Sequence, residues 1–503
     1  MPRSAIPMKR LQRVDQRLGA AACVLLQPLR WLRGRSPGSD ALRRILCIKF
    51  WGLGSLQMLT AAARHLREAH PDAELALLTL AENETFARGL GVFDRVLVLD
   101  VHTRRGPLGW SVLAARIAAL VARLRRARFD AVYDFEFFTR FSALVTALSG
   151  ARSTHGYAAP NVWRGGFHDR TVPFNRYWHA TRNFRALAGG EDGEEVEPRD
   201  LVPFEVLEEH EAELDRVLDA AGLANGRALV VLNPNAGLLS LERRWPAPYF
   251  AELARKLVLE DGLAVALVGA PSEAEYVAEI ARAANGTGDP SNDVEAKERS
   301  ASAAVGVEDL ARLAGGAKRL ANDVGEADGR ASDALGSSVL ANDARARSEL
   351  PPGALVDVAG RLSIGALAAL LARADAVVTN DSGPMHVAAA LGTPTIGLFG
   401  PETPVMYGPL GLDCVGLWKP PACSPCINVH ENKQSTCVHG RPECLVGISV
   451  DEVLAETRRA LVRRLFTPAQ RLPRRRLRAL ALDERARGEA REAGDSATRA
   501  SAP

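Results

Sequence analysis

Residues 374–401 read ADAVVTNDSGPMHVAAALGTPTIGLFGP. An apolar run, Ala376–Thr379, passes into a polar turn, then into a helical pattern from Gly383, then into a second apolar run, Thr395–Phe399. Short apolar runs joined by a helix mark a βαβ unit, whose parallel strands are buried on both faces. Asp381 or Ser382 is expected to cap the helix, with Gly383 and Pro384 in its first turn. Such a start aims backbone N–H groups and a partial positive charge beyond the C-terminal edge of the sheet, where a phosphate is held. Ser382 and His386, four residues apart, share one face of that helix.

The same rhythm runs outward in both directions. Strands are expected at Ile45–Phe50, Glu74–Leu78, Arg95–Leu99 and Ala131–Asp134, with helical patterns at Gln57–Ala69 and Val112–Ala127 between them. A second series follows at Leu229–Asn233, Ala264–Val268 and Val356–Val358, ahead of the two runs already quoted. This predicts an α/β protein of two doubly wound, Rossmann-like domains: an N-terminal one over 45–205, a linker over 206–228, and a C-terminal one over 229–457. Residues 285–350, rich in Ala, Gly, Ser, Asp and Asn, interrupt the second series and read as a disordered insertion. Asn233-Pro-Asn-Ala-Gly237 follows a strand, and Arg243-Arg244-Trp245-Pro246 comes soon after. Two arginines there could neutralise a diphosphate; equally, they could be surface groups beside a helix start.

The 503 residues are 47% hydrophobic and 24% charged, enough for a full core, and a spanning helix of about 20 apolar residues is not expected. A net charge of +3 conceals an asymmetry. Residues 1–44 carry ten Lys/Arg against two acids and residues 458–503 thirteen against five, leaving 40 basic and 53 acidic residues between them. A nucleic-acid binder places its positive field on the folded body, so basic segments at 1–44 and 458–503 point instead to an anionic membrane surface. Residues 8–34 mix Lys/Arg with Leu, Val and Trp31 at helical spacing, which fits an interfacial helix or a basic leader lying on the protein's own surface. Residues 18–29 resemble a signal-peptide core, but Pro28 and Arg30 interrupt it and no small-x-small site follows, so a cytoplasmic, reducing setting is expected. Cys423, Cys426, Cys437 and Cys444 cluster within 423–444, with His430 and His439 interspersed. In a reducing compartment this fits a structural zinc site better than disulfides; unligated thiols are the other reading.

The chain resembles glycosyltransferase family 9, the ADP-heptose:lipopolysaccharide heptosyltransferase group, which has the two-domain GT-B fold. The likeness rests on 45–79 (ILCIKFWGLGSLQMLTAAARHLREAHPDAELALLT), 130–144, GARSTHGY at 150–157, LNPNAG…RRWPAPYFAELA at 232–254 and 358–404, and it covers about 45–455 outside the insertion. It implies two Rossmann-like domains facing across a cleft, with the donor sugar nucleotide, ADP-heptose, in the C-terminal half. Asp381, Ser382 and Gly383 would hold diphosphate and sugar beside His386. Arg243 stands where the family usually has a phosphate-binding lysine, and Glu273 near the place that reaches the nucleoside. The acceptor, a lipopolysaccharide core or other lipid-linked saccharide, would lie against the N-terminal half of a peripheral enzyme on the inner face of the cytoplasmic membrane. No cofactor is expected for catalysis.

One departure stands out. The family's first turn reads Gly-Asp, the aspartate being the general base, whereas this chain has Gly54-Ser55. A serine hydroxyl takes no proton at neutral pH without its own base. Glu136, where the family commonly has glutamine, is the expected replacement and Asp134 the less favoured one; a structural pair of Glu136 with Arg140 is the alternative. Lys49, ending the first strand, points into the cleft or beside it. The leading expectation is therefore an inverting glycosyltransferase. A catalytically inactive sugar-nucleotide or glycan binder, a transferase using another sugar nucleotide, and a nucleotide-sugar epimerase are the competing readings.

Overall fold

The computed structural model describes residues 4–5, 14–28, 42–103, 107–158, 162–190, 195–223, 226–237, 240–287, 349–426 and 437–466. The 285–350 insertion lies outside them apart from its edges, as does the tail beyond 466.

Strand-forming runs of Val, Ile, Leu and Ala build two six-stranded sheets. The first uses β2 (Arg44–Ile48), β3 (Glu74–Leu80), β4 (Arg95–Leu99), β6 (Ala131–Asp134), β7 (Ser153–Ala158) and β8 (Arg170–Pro173), in the order β4-β3-β2-β6-β7-β8. Two-residue strands β1 (Ser4–Ala5) and β5 (His102–Thr103) pair with each other outside it. The second sheet uses β9 (Leu229–Asn233), β10 (Ala264–Leu267), β11 (Leu355–Asp357), β12 (Ala376–Asn380), β13 (Thr395–Phe399) and β14 (Val415–Trp418), in the order β11-β10-β9-β12-β13-β14. All pairings within both sheets are parallel. In each, the order reverses beside the first strand, so crevices open at the ends of β2 and β6 and of β9 and β12.

The helices are α1 (Ala20–Leu25, extending a π-turn at Asp15–Gly19), α2 (Leu53–Ala69), α3 (Glu84–Gly89), α4 (Pro107–Ala127), α5 (Arg140–Leu148), α6 (Ala180–Leu187) and α7 (Glu208–Ala221). The second half adds α8 (Ala247–Leu259), α9 (Ala274–Ala284), α10 (Ile364–Arg373), α11 (Gly383–Ala390), α12 (Pro404–Tyr407), α13 (Glu443–Val446) and α14 (Val450–Phe466). Strand alternation divides the cores. Ile45 and Cys47 face α2, α3 and α6 through Leu56, Leu59, Phe86 and Phe184, while Leu46 and Ile48 face α4 and α5 through Leu113, Leu120, Leu124 and Val145. The first of these cores continues without a break into Leu370 of α10 and Met385 of α11, so the halves share packed surface.

Two segments differ from expectation, and a third follows one of its two readings. The 206–228 linker is mostly helix: α7 lies on α10, where Glu211 and Asp215 pair with Arg373 and Glu213 accepts from Ser363. Helix α14 crosses the boundary drawn at 457, because Arg458 pairs with Glu260 and Asp261, and Arg464 with Asp375, on the folded body. Of residues 8–34, the described stretch 14–28 docks on α5: Asp15 accepts hydrogen bonds from the Arg140 and Phe141 amides, and Cys23 is buried beside Ala143 and Ala147.

Candidate active site

Two helix starts meet between the halves. Helix α2 follows Gly52, whose φ of 80° is open to glycine at little cost, and α11 follows Ser382. A Cβ built on Gly383 would lie 3.2 Å from Leu53 Cβ and 3.3 Å from the Gly54 nitrogen. One built on Gly54 would lie 2.5 Å from His386 Cδ2, so the imidazole lies on the bare glycine backbone. Neither helix has a side-chain cap. The capping expected of Asp381 or Ser382 does not occur, because stronger partners claim both side chains. Ser382 Oγ lies 2.9 Å from Asn233 Nδ2 and 3.0 Å from Thr379 Oγ1, and the Asp381 carboxylate takes a hydrogen bond from Arg243. First-turn amides of two helices are thereby left to face one small region, with both dipoles positive toward it.

Arg243 borders this region from the short 3-10 turn Leu241–Arg243. Its Nη1 donates to the Asp381 carbonyl at 2.9 Å and carboxylate at 3.1 Å, and Nη2 donates to the Ala236 carbonyl. Asn380, the last residue of β12, holds the Arg244–Trp245 turn in place: its Oδ1 accepts from the Trp245 amide and its Nδ2 donates to the Pro234 carbonyl. Arg244 and Glu273 sit apart from the helix starts. Arg244 is buried over the Tyr276 ring at 4.1 Å with Glu273 3.9 Å away, and Glu273 Oε2 accepts from the Ala270 amide, shaping the turn after β10.

On the N-terminal side, Lys49 and Glu136 form a buried pair at 3.0 Å, their side chains 3% and 5% exposed. The same Glu136 Oε1 accepts from the Phe50 amide at 2.7 Å and the Trp51 amide at 3.3 Å. The carboxylate thus holds the β2–α2 turn that leads to Ser55, with the Lys49 ammonium also 5.0 Å from the Phe137 ring centre. The anticipated Glu136–Arg140 pair is replaced by this one, and Arg140 Nε donates to the Trp163 carbonyl instead. Asp134 is fully buried in a separate cluster, bound by Arg164, by His168 at 3.2 Å and by Ser142 at 3.0 Å. Burial would raise its pKa, but Arg164, His168 and Ser142 together hold it below the usual carboxylate range. That leaves Asp134 ionised and fully engaged, out of reach of an acceptor hydroxyl.

Sequence reasoning passed over three residues here. Gly54 was read as part of a turn, not as the surface on which His386 rests. Tyr407 stands where the halves' charges converge: burial pushes its hydroxyl pKa well up, helped by Glu402, Asp381 and Glu136 and opposed by Arg243. His179, capping α6, reaches across to the Gly408 carbonyl at 3.0 Å. A lone Tyr or His in an unremarkable segment carries no sequence signal of such a position; only the fold supplies it.

The clustered cysteines border the end of β13: the Cys426 amide donates to the Pro401 carbonyl, and a Cβ built on Gly400 would lie 3.0 Å from Cys444 Sγ. Among the described residues no group of three or more His, Cys, Asp and Glu side chains could hold a metal ion. Cys437 Sγ donates to the Arg441 carbonyl, and burial pushes the Cys444 thiol up to about 11, with Cys426 and Cys437 adding to the rise. No such grouping of Cys423, Cys426, Cys437 and Cys444 is seen among the described residues; His430 lies outside them.

A family model described as glycosyltransferase family 9 (heptosyltransferase) matches residues 117–294 and 335–437, more than half of the chain. The chain belongs to glycosyltransferase family 9. Local stretches resemble curated members of the family: 45% identity over 67 residues to lipopolysaccharide heptosyltransferase 1 of Pseudomonas aeruginosa, and 33% over 100 residues to lipopolysaccharide heptosyltransferase 2 of Escherichia coli. Those stretches are 13% and 20% of this chain, and 19% and 27% of the relatives. In fold the family member resembles E. coli ADP-heptose heptosyltransferase II (TM-score 0.53, 20% identity, 84% of this chain and 99% of that one). It also resembles a family 9 glycosyltransferase from Veillonella parvula (TM-score 0.56, 19% identity, 85% and 100%). The α/β, two-domain GT-B architecture is thereby shown.

Proposed function

We propose that this protein transfers a heptose-like sugar from an ADP-activated donor to a hydroxyl of a lipopolysaccharide-core or other lipid-linked saccharide. The observation that carries the reading is the meeting of two uncapped helix starts beside Arg243, at the switch points of two facing sheets. That arrangement suits a diphosphate whose negative charge grows as the anomeric bond breaks. Arg243 and the first-turn amides of α11 would take that charge; Ser382, Gly383 and His386 border the sugar. Family membership, and heptosyltransferase relatives matched over part of their length, support the heptose. Arg244 and Glu273 would frame the nucleoside side indirectly, through the β10 turn.

Attack by an acceptor hydroxyl on the opposite side of the anomeric carbon would invert it by single displacement. Glu136 acts as a positioning residue in this scheme: its Oε1 already accepts from Lys49 and the Phe50 and Trp51 amides, which fixes the turn leading into the first turn of α2, where Ser55 lies. The proton of the attacking hydroxyl would go to a carboxylate other than Glu136, identified by which of Asp381→Asn and Glu402→Gln abolishes turnover while sparing donor binding.

The test is a thermal-shift panel of ADP, UDP, GDP, CDP and ADP-heptose on the wild type and Arg243→Ala. Stabilisation by ADP and ADP-heptose, lost in the variant, is the expected result, and a hundredfold excess over Kd adds about 2.7 kcal/mol. Preference for another nucleotide discards the heptose; no shift with any of them discards the transferase in favour of an inactive relative. A lipid-borne acceptor would place the enzyme at the inner face of the cytoplasmic membrane. Among the described residues no helix is long and apolar enough to cross a membrane, so the association would be peripheral.

A further inference from the structure

Helices α4, α5 and the Asp15–Leu25 segment lie side by side on one face of the N-terminal sheet. The segment packs on α5 through Gly19 and Cys23, and α4 shares the Leu46–Ile48 core with α5. The chain is fastened to this face at a second point, where Ser4–Ala5 pairs with His102–Thr103 just before α4. The outer side of the layer is unusually apolar for a soluble surface: Leu18 (65% exposed), Leu25 (77%) and Leu108 (66%) stand out, with Trp110 and Val112 next to them. Leu18 and Leu25, seven apart, share a helix face, as do Leu108 and Val112, four apart.

Charge selects what covers it. Helix α4 holds Arg116, Arg123, Arg125 and Arg126 and no acidic residue. Arg123 and Arg126 gather with Arg44 and Arg95 at its C-terminal end, around Glu74. Arg17 is exposed on the docked segment, and residues 1–44 add their ten Lys/Arg. The rest of the body between residues 45 and 457 is acidic in balance. An anionic lipid surface would repel that body except here, where exposed Leu and Trp can enter the headgroup boundary with arginines flanking them.

We propose that this three-helix face of the N-terminal domain is the surface by which the protein lies on an anionic membrane. It rests on the reading of a lipid-linked acceptor given above and names the side on which that acceptor arrives. The start of α5 follows β6, whose end opens into the crevice, and α4 starts beyond the edge strand β4 on the same side of the sheet.

Flotation of the full chain with phosphatidylcholine vesicles, with and without a third of phosphatidylglycerol, tests this. The wild type should float with the anionic vesicles only, and Leu25→Ser/Leu108→Ser should weaken binding at least about tenfold while circular dichroism and ADP-induced stabilisation stay as in the wild type. Trp110→Phe should remove a fluorescence component quenched by brominated lipid. Flotation unchanged by the double substitution overturns the proposal, and so does a wild type that ignores anionic vesicles. A variant that loses self-association by sedimentation, and not lipid binding, also overturns it, making the face an interface between copies. Donor binding is read separately, so loss of the transferase reading leaves a distinct signature: no nucleotide shift in any protein, whatever floats.

Discussion

Replacing the Lys49–Glu136 pair separates its structural role from a chemical one. At 3.0 Å, with both side chains almost wholly buried, the Coulomb attraction is about 5–6 kcal/mol at an effective dielectric of about 20. Glu136→Gln leaves an ammonium buried without its counter-charge, and Lys49→Met leaves a carboxylate in the same state. Each should cost about 3–5 kcal/mol, enough to lower Tm by well over 5 °C in a domain of this size. The double variant Lys49→Met/Glu136→Gln removes both charges, while the Gln carbonyl oxygen can still accept from the Phe50 and Trp51 amides. It should recover most of the lost stability, giving a coupling energy of at least about 2 kcal/mol in a urea-denaturation cycle. Sugar-transfer assays on the same three proteins then read the chemistry. A positioning role predicts that turnover returns with stability. A double variant that folds as well as the wild type yet stays more than a hundredfold slower would refute that role and make Glu136 the base; a coupling energy near zero would refute the buried pair itself.

Gly54→Ala places a methyl against His386 and should reduce turnover at least about tenfold without lowering Tm by more than a few degrees, and adding His386→Ala should relieve the clash, as measured by donor affinity in the two proteins. Arg243→Ala should weaken ADP binding by about ten- to a hundredfold, read by calorimetry, with Arg243→Lys intermediate because a lysine cannot span the Asp381 and Ala236 oxygens together. Burial lowers the pKa of His179 to about 4, against the Gly408 carbonyl, and that of His155 likewise to about 4. The unfolded chain therefore binds these protons first, so stability present above pH 6.5 should fall as pH drops toward 4, by up to about 1.4 kcal/mol per pH unit for each imidazole. Thermal melts of the wild type and His179→Gln across pH 7 to 4.5 check this, the variant showing the shallower slope.

Much of the fold could be read from local chemistry. Apolar runs at Ala131–Asp134, Leu229–Asn233 and Thr395–Phe399 are strands with those bounds, since a strand buried on both faces shows itself as an unbroken run. The 206–228 stretch misled because the acids of α7 resemble a solvated linker until Arg373 is placed opposite them. The candidate site was legible where the helix start itself carries the signal, in Asp381-Ser382-Gly383. It was not legible where a role depends on partners brought close only by the fold: Ser382 turned toward Asn233, Tyr407 among carboxylates of both halves, and Glu136 holding amides of a strand end 85 residues earlier.

The bond from Asp15 to the Arg140 and Phe141 amides has a practical consequence. Composition invites a preparation trimmed at residue 40, on the view that a basic leader is dispensable. Such a protein would lose the acceptor for two first-turn amides of α5 and open the pocket over Ala143, at a cost of about 1–2 kcal/mol for the cap alone. Its helix would fray at the end nearest Asp134 and Glu136, and a weak activity measured on it would describe the trimming rather than the enzyme.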